Sequence, residues 1–464
     1  MGNNVFRRAG LIIACAISIT LMGPIASAKV SAPPAKKARP GDAIRFPVTK
    51  YKLPNGLTVL ISEDHHSPLV SYQQWFRVGS SHEKVGHTGL AHFFEHMMFE
   101  GTKKYPSKRF NRLMEINGAD FDAFTTQDYT GFYETLPSDQ VKFAIKFESD
   151  RMHNLIINPK VIKKVREVVE EERRMRYENS VMGTLWVMFN STLYKTSPYH
   201  WPVIGYMKDL NAMKLSEFKN WYKTYYIPNN AVVVVVGDVN TAHVKKLIAK
   251  YYGPIPARPL PPFHPTPEAP QEAPRTATVK RNVHAVSMMI GWPGVKAGDH
   301  DQYALDMLAD IMADGPSSRL YRALVYDTHL ATWVSMESDE NLLAGDIAIT
   351  VAWNPGANIR RGIAIIKRQI AMLKTRLVTK DEMKKVRNAE LLGYIRGLQT
   401  DSSRAQALAY NEIIFHNYQH LFTDLDQMSA VTRKDIQNAA IKYLVPSKMN
   451  TVEVVPEHRK GARP

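Results

Sequence analysis

A proline-rich segment near the middle of the chain divides it into two parts. Residues 252–274 read YGPIPARPLPPFHPTPEAPQEAP. Proline lacks a backbone N–H group and clashes with the preceding helical turn, so this segment forms neither an α-helix nor a central strand. We therefore predict a linker at residues 254–275, with one domain at residues 46–253 and a second at residues 276–464.

The two parts of the chain repeat one plan. Tyr225 and Pro228 close a helix that precedes an apolar strand in the first part, and Tyr443 and Pro446 do so in the second. The same number of residues separates the two tyrosines and the two prolines. A tandem duplication explains this spacing better than a chance likeness between two ordinary α/β sequences.

Strand patterns indicate the fold class of both parts. Each part begins with two strands and an amphipathic helix, with strands predicted at residues 57–61, 70–78, 277–279 and 287–292. Strands and helices alternate too irregularly for a doubly wound sheet, and the apolar/polar alternation of residues 70–78 is typical of a sheet with one covered face. We predict an α+β fold of two tandem homologous domains, each a mainly antiparallel sheet covered by helices.

Residues 1–28 have the features of a cleavable export signal. Arg7 and Arg8 precede an apolar stretch, and residues 26–28, ASA, match a cleavage site. Residues 29–45 are then expected to form a flexible segment ahead of the first domain. This pattern predicts a periplasmic or secreted protein.

Cys15 is the only cysteine of the chain and lies inside the predicted signal. The mature protein would therefore have no disulfide and no thiolate metal site, and any metal must be bound by His, Asp or Glu. No interior run reaches the ~18 apolar residues that span a bilayer, so we expect no stable membrane span after cleavage. A retained membrane anchor and a lipid anchor on Cys15 stay open as alternatives.

The chain is strongly basic. It contains 60 Lys and Arg residues against 44 Asp and Glu residues, for a formal net charge of +16. Such a charge favours nucleic acid, anionic membrane surfaces or acidic peptides as partners. An exported protein seldom meets nucleic acid, and the sequence has no zinc-finger spacing or RNA-binding aromatic motif. We expect no nucleic-acid partner and interpret the charge as a feature of the surface and of substrate preference.

A zinc-binding pattern lies in the first part. Residues 88–100, TGLAHFFEHMMFE, predict an apolar-rich helix that Gly101 ends. Because each residue turns the helix by about 100°, His92 and His96 lie about 40° apart, and Glu95 lies about 60° from His92. Two imidazoles four residues apart can bind one zinc ion with a carboxylate beside it, as in hydrolytic zinc sites. Buried, hydrogen-bonded histidines are the alternative. Other nearby histidines lie in loop-like sequence and are interpreted as solvated: His65, His66, His82 and His87.

The third zinc ligand is predicted on a second helix, which begins after Asn158. Its apolar stripe comprises Val161, Val165, Val168, Val169 and Met175. Glu172 falls about 20° from Val161 around the helix, within the stripe. Glu170 and Glu171 fall about 180° and about 80° from Val161. A carboxylate in a buried face must be paired, protonated or coordinated. Glu172 is therefore the predicted ligand, with its pairing to an inward Arg, or Glu171 as the ligand, as the alternatives.

These residues resemble a known family of zinc peptidases. Residues 92–102, HFFEHMMFEGT, are similar to the inverted zinc motif of the pitrilysin/insulinase metallopeptidases. The family's distal glutamate falls on Glu172. The resemblance covers most of the chain and implies a metalloendopeptidase with one Zn2+ per chain. His92, His96 and Glu172 would bind the metal, and Glu95 would be the catalytic base.

The resemblance also implies where the substrate binds. Residues 118–125, GADFDAFT, correspond to the family's edge strand, which pairs with the substrate backbone. The implied substrate-binding residues are Ala119, Phe121, Asp122, Ala123 and Phe124. Asp122 departs from the Asn that is usual in the family.

The resemblance implies that only the first part binds zinc. Aligning Gly101 with Gly315 places Asp306, Ala309 and Asp310 at the positions of the two histidines and the glutamate. Because the second copy lacks those residue types, it cannot form the same site.

The second part also departs from the family pattern at two functional positions. Active members carry an Arg and a Tyr in a stretch like L-R-x-x-x-x-L-A-Y, where both bind substrate near the scissile bond. Val325 and Thr332 occupy these places. Neither side chain can donate hydrogen bonds to the substrate as Arg and Tyr do. The charge that develops in the transition state is therefore incompletely stabilised by this chain alone. The alternative is that Tyr321, Arg322 or Tyr326 takes over the role of the missing Arg and Tyr.

Some relatives divide this work between two subunits. The chain is similar to the short two-domain members, such as mitochondrial processing peptidase and bacterial relatives, which pair around a closed chamber. We predict a zinc-dependent endopeptidase that hydrolyses peptides or unfolded polypeptides as the zinc-bearing subunit of a heterodimer. The homologous partner would supply the Arg/Tyr pair. A non-catalytic structural or assembly subunit and a peptide-binding protein of the same fold are the alternatives.

Overall fold

The computed structural model describes residues 40–457. The predicted signal at residues 1–28, including Cys15, lies outside the described residues. Residues 40–45 of the predicted flexible segment are described, and Pro40–Ile44 form a 3-10 turn in which the Gly41 N–H donates to Asp426. In the part of the chain that the structure describes, no helix is long and apolar enough to cross a membrane.

The first part alternates strands and helices over residues 49–252. Its strands are β1 (Thr49–Lys52), β2 (Thr58–Glu63), β3 (Leu69–Phe76), β4 (Asp120–Thr125), β5 (Thr130–Pro137) and β6 (Ala231–Gly237). Its helices are α1 (Leu90–Met98), α2 (Ser107–Ile116), α3 (Val141–Asn154), α4 (Pro159–Arg173), α5 (Val181–Leu193), α6 (Met207–Ala212), α7 (Leu215–Tyr225) and α8 (Thr241–Tyr252). A π-helical turn, Arg174–Glu178, follows α4 directly.

The second part repeats this order between residues 275 and 456. Its strands are β7 (Arg275–Arg281), β8 (Ser287–Pro293), β9 (Ala331–Glu340), β10 (Gly345–Trp353) and β11 (Asn450–Pro456). Its helices are α9 (Gln302–Ala313), α10 (Ile359–Thr375), α11 (Lys380–Arg396), α12 (Asp401–Phe415), α13 (His420–Ala430) and α14 (Arg433–Tyr443). A π-helical turn, Tyr321–Tyr326, precedes β9.

Each part builds one mainly antiparallel sheet. The strand orders are β1-β2-β6-β3-β5-β4 and β7-β11-β8-β10-β9. The last strand of each part makes the one parallel pair of its sheet, β6 with β2 and β11 with β7, and the other pairs are antiparallel. The matching orders confirm the predicted α+β fold of two tandem homologous domains, and all four predicted strands are present.

The two parts exchange one helix each. Helix α12 of the second part packs on β3 and β6, so that Leu408 lies in a core with Trp75 and Val234 of the first sheet. Helix α5 of the first part packs on β8 and β11, so that Phe189 lies in a core with Val452 of the second sheet. Neither sheet is therefore covered by its own part of the chain alone.

This exchange corrects one expectation from the strand pattern. Strand β3 was predicted to have one covered face, but every residue from Val70 to Phe76 is buried. Gln73 faces α12 rather than water, and its Nε2 donates to the carbonyl of Ser402 at 2.9 Å. Gln74 lies on the opposite face and donates to Glu148 of α3 at 3.3 Å. A polar side chain that is satisfied by a distant helix looks solvent-exposed in sequence, because its partner lies far along the chain.

The proline-rich segment runs over the surface between the two parts. It is fastened to the first part by Glu268, whose carboxylate accepts the backbone N–H groups of Lys195, Thr196 and Ser197 at 2.7–3.1 Å. Phe263 stacks on the ring of His82, with ring centroids 4.1 Å apart.

Candidate metal centre

Helix α1 carries the histidine motif and is anchored at its start by a buried carboxylate. It begins after Gly89, whose φ of 93° lies in the left-handed region and whose Cα lies against the backbone of residues 204 and 205. The Glu83 carboxylate accepts the N–H groups of Gly89 and Ala91 at 2.8 and 2.7 Å. These bonds satisfy N–H groups that a helix start leaves without partners.

The apolar face of α1 leaves the polar motif on the opposite side. Phe93, Phe94 and Met97 are fully buried in the hydrophobic core of the first part, which we call the first core. Their burial holds the helix in one rotation, and His92 and His96 then point towards α4 with ring centroids 4.8 Å apart.

Glu172 completes a three-residue cluster with these histidines. Its Oε2 atom lies 3.0 Å from His96 Nε2 and 3.7 Å from His92 Nε2. One ligand atom from each of the three residues lies within 4.8 Å of the others, the one such group of His, Cys, Asp or Glu within residues 40–457. Arg176 binds the other oxygen, Oε1, at 3.1 Å, so that Oε2 remains turned towards both imidazoles.

The pKa values of His92 and Glu172 favour the forms that bind a metal. Burial lowers the pKa of His92 to about 3, so its ring is neutral and has a lone pair to donate. Burial alone would raise the pKa of Glu172, but the hydrogen bond with His96 and the nearby imidazoles lower it to about 2. Burial opposes the charged form of His96, but the hydrogen bond with Glu172 and the charges of Glu95 and Glu172 together outweigh it and raise the pKa of His96. Two imidazole nitrogens and one carboxylate are the donor set of many hydrolytic zinc sites, so these residues fit Zn2+.

The neighbouring glutamates of α4 lie elsewhere. Glu171 has a side chain that is 62% exposed and pairs with Arg174 at 3.0 Å. Glu170 pairs with the same arginine at 3.2 Å. Of the three glutamates, Glu172 alone faces α1.

The predicted apolar stripe of α4 is partly wrong. Val165 and Val169 are buried, as predicted, and Ile162 is buried beside them although it was not included in the stripe. Val168 and Met175 are 50% and 63% exposed. Met175 lies beyond the end of α4, in the π-helical turn, where the angle per residue differs from that of an α-helix.

Glu95 lies beside the cluster and has a partner that the sequence did not indicate. Glu95 is 9% exposed, and its Oε2 accepts a hydrogen bond from Thr125 Oγ at 2.5 Å. Burial raises the pKa of Glu95 to about 7, with the Thr125 bond acting in the opposite direction. Thr125 belongs to the segment 118–125, but its position at the end of that strand was the only sign of a role.

The predicted substrate strand forms an edge of the first sheet. Strand β4 pairs with β5 from Asp120 to Thr125 and is the last strand in the order. Phe121 packs on Phe110 of α2, and Phe124 packs edge-on against Trp75.

The remaining predicted strand residues have separate environments. Ala119 lies just before β4, where its N–H donates to the Met114 carbonyl. Ala123 packs against the first core. The Asp122 carboxylate accepts the N–H of Ala123 at 2.8 Å and so bonds within its own strand.

A cavity of about 540 Å³ lies between the two parts beside β4. Residues 122–126 form one wall, and α11, α12 and α13 of the second part form the other. Carboxylates from both parts line it: Asp122, Asp306, Asp339, Glu340, Glu390 and Asp424. No Lys or Arg is found among its described lining residues, so the net positive charge of the chain does not extend into the cavity.

The second part has no comparable cluster in its described residues. Asp306, Ala309 and Asp310 lie on α9, the counterpart of α1. Val325 lies in the π-helical turn and packs against the hydrophobic core of the second part, the second core. Thr332 is an exposed residue of edge strand β9, and its hydroxyl donates to the Ala352 carbonyl. Among the proposed substitutes, Arg322 and Tyr326 are exposed and Tyr321 packs against the second core, and none of the three lines the cavity beside β4.

The other histidines near α1 lie outside the cluster. His65 contacts Asp238, His66 contacts Asp64 and His87 contacts Glu217. His82 is half-buried rather than solvated, and burial lowers its pKa to about 4.

Comparison with known proteins identifies the family of this fold and site. Residues 58–205 match the family model described as "Insulinase (Peptidase family M16)", and residues 212–390 match "Peptidase M16 inactive domain". The fold and motif thus define a two-domain chain of the metallopeptidase class, with the metal motif in the first domain. The chain belongs to peptidase family M16, the insulinase family.

Individual relatives agree with this assignment. The chain is 30% identical to the zinc protease PqqE of Helicobacter pylori over 419 residues, which covers 87% of this chain and 92% of that protein. A crystal structure of a protease from Helicobacter pylori is similar with a TM-score of 0.85 at 27% identity, covering 89% of this chain and 100% of the other. The periplasmic protease PqqL from Escherichia coli has the same fold, with a TM-score of 0.71 at 18% identity, and the match covers 88% of this chain and 47% of PqqL.

Proposed function

We propose that this chain is a zinc-dependent endopeptidase that hydrolyses peptides or unfolded polypeptides in an exported compartment. The observation that carries the proposal is the convergence of His92, His96 and Glu172, with ligand atoms within 4.8 Å and Glu95 on the same helix. The export signal at residues 1–28 and the description of PqqL as periplasmic support the compartment.

The residues of the site divide the hydrolysis between them. His92, His96 and Glu172 would hold Zn2+, which supplies Lewis-acid chemistry by polarising the scissile carbonyl and lowering the pKa of water. Glu95 takes a proton from the attacking water and passes it to the nitrogen of the leaving amine. Burial places Glu95 in a low-dielectric site and raises its pKa to about 7, so the group can both accept and return a proton near neutral pH.

The edge of β4 supports an extended substrate. An unpaired strand edge offers backbone N–H and C=O groups to a peptide, which adds as a further strand. Because β4 ends at Thr125, which contacts Glu95, a peptide along this edge passes directly beside the proposed base.

The carboxylates of the cavity favour cationic peptides. Side chains of Lys and Arg that enter the space beside β4 meet six carboxylates and no Lys or Arg among the described lining residues. Complementary charge raises both the rate of encounter and the discrimination against like-charged partners. We therefore propose a preference for peptides with basic side chains near the scissile bond.

Val325 and Thr332 support a second subunit. Neither side chain can supply the cationic and phenolic donors that family members place near the scissile bond, and no Arg or Lys lines the described part of the cavity. We propose that the chain is the zinc-bearing half of a heterodimer and that a homologous partner supplies an Arg/Tyr pair. The same observation favours the second candidate, a non-catalytic assembly or peptide-binding subunit.

Cleavage of a mixed peptide library by the purified, zinc-loaded mature chain tests the proposal, with Glu95→Gln as the blank. Cleavage above the blank, enriched at basic sequences, is the result expected of the active peptidase. Cleavage only after addition of a co-purifying subunit supports the heterodimer. If the chain binds peptides and zinc but hydrolyses nothing with or without that subunit, the second candidate is correct.

A further inference from the structure

The proposed base is held from outside its own helix. Glu95 lies in the middle of α1, buried, with its Oε2 accepting from Thr125 Oγ at 2.5 Å. Thr125 is the last residue of β4, the strand that offers its edge to a peptide. One strand thus carries both the proposed docking edge and the hydroxyl that orients the base.

The end of β4 is itself rigidly held. Thr125 pairs with Thr130 across the sheet, and the Thr130 hydroxyl donates to the Val78 carbonyl at 2.9 Å. In the intervening turn, Thr126 Oγ accepts the N–H groups of Asp128 and Tyr129, both at 3.1 Å. These bonds leave the Thr125 side chain little freedom to move away from Glu95.

The turn is also fastened to the second part of the chain. Asp128 accepts from Tyr199 Oη at 2.7 Å and from the backbone N–H of Leu342 at 2.9 Å. The Leu343 N–H donates to the same tyrosine hydroxyl at 2.9 Å. Leu342 and Leu343 lie in the turn between β9 and β10, so the domain without the metal motif helps to set the position of Thr125.

We propose that Thr125 is a positioning residue for Glu95 in the hydrolysis. The proposal rests on the proposed function. Because a peptide on β4 and the Thr125 hydroxyl share one rigid strand, the hydrogen bond keeps the Glu95 carboxylate at a constant place relative to the scissile bond. Groups held in this way contribute through orientation, and small displacements lower the rate without weakening substrate binding.

The test is a set of three variants assayed with a peptide that the wild-type protein cleaves. Thr125→Val removes the hydroxyl at nearly constant volume, and Thr125→Ser retains it. Thr278→Val is the matched control, because Thr278 lies on edge strand β7 and its hydroxyl donates to Glu453 at 3.0 Å, within the other sheet. The measurements are kcat, KM and zinc content.

We expect Thr125→Val to lower kcat about 10- to 100-fold, the range for loss of one hydrogen bond to a charged group. KM should stay within about twofold, zinc should remain at one per chain, Thr125→Ser should restore most of kcat, and Thr278→Val should match the wild type. A kcat for Thr125→Val within twofold of wild type overturns the proposal. So does a loss confined to KM, or a Thr125→Ser variant as slow as Thr125→Val.

A double-mutant cycle on the stability of the protein provides a second test that does not depend on turnover. Thr125→Val, Glu95→Ala and the double variant are compared by chemical denaturation, because Ala removes the acceptor that Gln would retain. Non-additive shifts of the midpoint are expected if the two side chains interact, and additive shifts overturn the positioning role. If the wild-type protein shows no turnover with or without a partner, the proposed function fails and the role of Thr125 fails with it. A fully active Thr125→Val variant overturns the positioning role alone.

Discussion

Replacing Glu172 by Gln, with Glu171→Gln as its neighbour control, tests the third metal ligand directly. Glu172 Oε2 lies 3.0 Å from His96 Nε2 and 3.7 Å from His92 Nε2, whereas Glu171 is 62% exposed and paired with Arg174. The amide of Gln keeps an oxygen at the site but loses the negative charge that attracts the cation. Glu171→Gln removes only an exposed ion pair.

The expected magnitude follows from the ligand count. Zinc binding to four-ligand structural sites is worth about 10–16 kcal/mol, or roughly 3–4 kcal/mol for each ligand. At about 1.4 kcal/mol for each factor of ten, loss of Glu172 should weaken zinc binding about 100- to 1000-fold. Exposed ion pairs are worth about 0–1 kcal/mol, so Glu171→Gln should change zinc affinity by less than about threefold.

The assay is competition for zinc against a chelator of known affinity, followed by thermal denaturation at fixed free zinc. A 100-fold loss of affinity removes about 2.7 kcal/mol of zinc-dependent stabilisation when free zinc greatly exceeds the dissociation constants. The wild type and Glu171→Gln should therefore unfold together, and Glu172→Gln should unfold at a lower temperature only when zinc is present. Equal zinc affinities for the two variants, or a larger loss for Glu171→Gln, would refute the assignment of Glu172.

Three further predictions concern the folded chain. Arg151 is 2% exposed and donates to the buried Glu148 at 2.7 and 3.1 Å, so Arg151→Met should lower the free energy of unfolding by about 3–5 kcal/mol in urea titrations; a loss below 1 kcal/mol would contradict it. Burial raises the pKa of Asp128 from 3.8 to about 6, which means that the folded state binds the proton more tightly and the wild type loses stability as pH rises between these values. Asp128→Asn lacks this titration, so its stability relative to the wild type should rise by about 2–3 kcal/mol from pH 4 to pH 7, whereas a constant difference would show that Asp128 does not titrate in this range. Phe189 is 2% exposed and lies where α5 covers the second sheet. Phe189→Ala should lower the free energy of unfolding by about 3–5 kcal/mol. A loss as small as that of a surface substitution would show that α5 contributes little to the stability of the second sheet.

Local periodicity explains which parts of the site were readable in the sequence. His92, Glu95 and His96 lie within one helix, and a helix of known pitch determines their relative directions without reference to any other element. The structure places His92 and His96 on one face, as predicted. Residues 225–228 and 443–446 showed the duplication for a similar reason, because a repeat preserves spacing along the chain.

The apolar stripe predicted for α4 indicated correctly that Glu172 faces inward, although two of the residues in that stripe are exposed. Val165 and Val169, close to Glu172 around the helix, are buried, and their direction determined the result. Val168 and Met175 are exposed because the helix packs on α1 over a narrower face and gives way to a π-helical turn after Arg173. A pattern based on one helical pitch cannot show where that pitch changes.

The sequence by itself determined the two-part repeat, the α+β class and the histidine–glutamate motif, since each depends on spacing along the chain. Only the tertiary structure decided that α12 covers the second face of β3, that Thr125 bonds Glu95, and that Asp128 joins the β4–β5 turn to Leu342. These contacts join residues that are 30 to more than 200 positions apart. Their partners are chosen by the packing of whole sheets and helices, so no local period of the sequence records them.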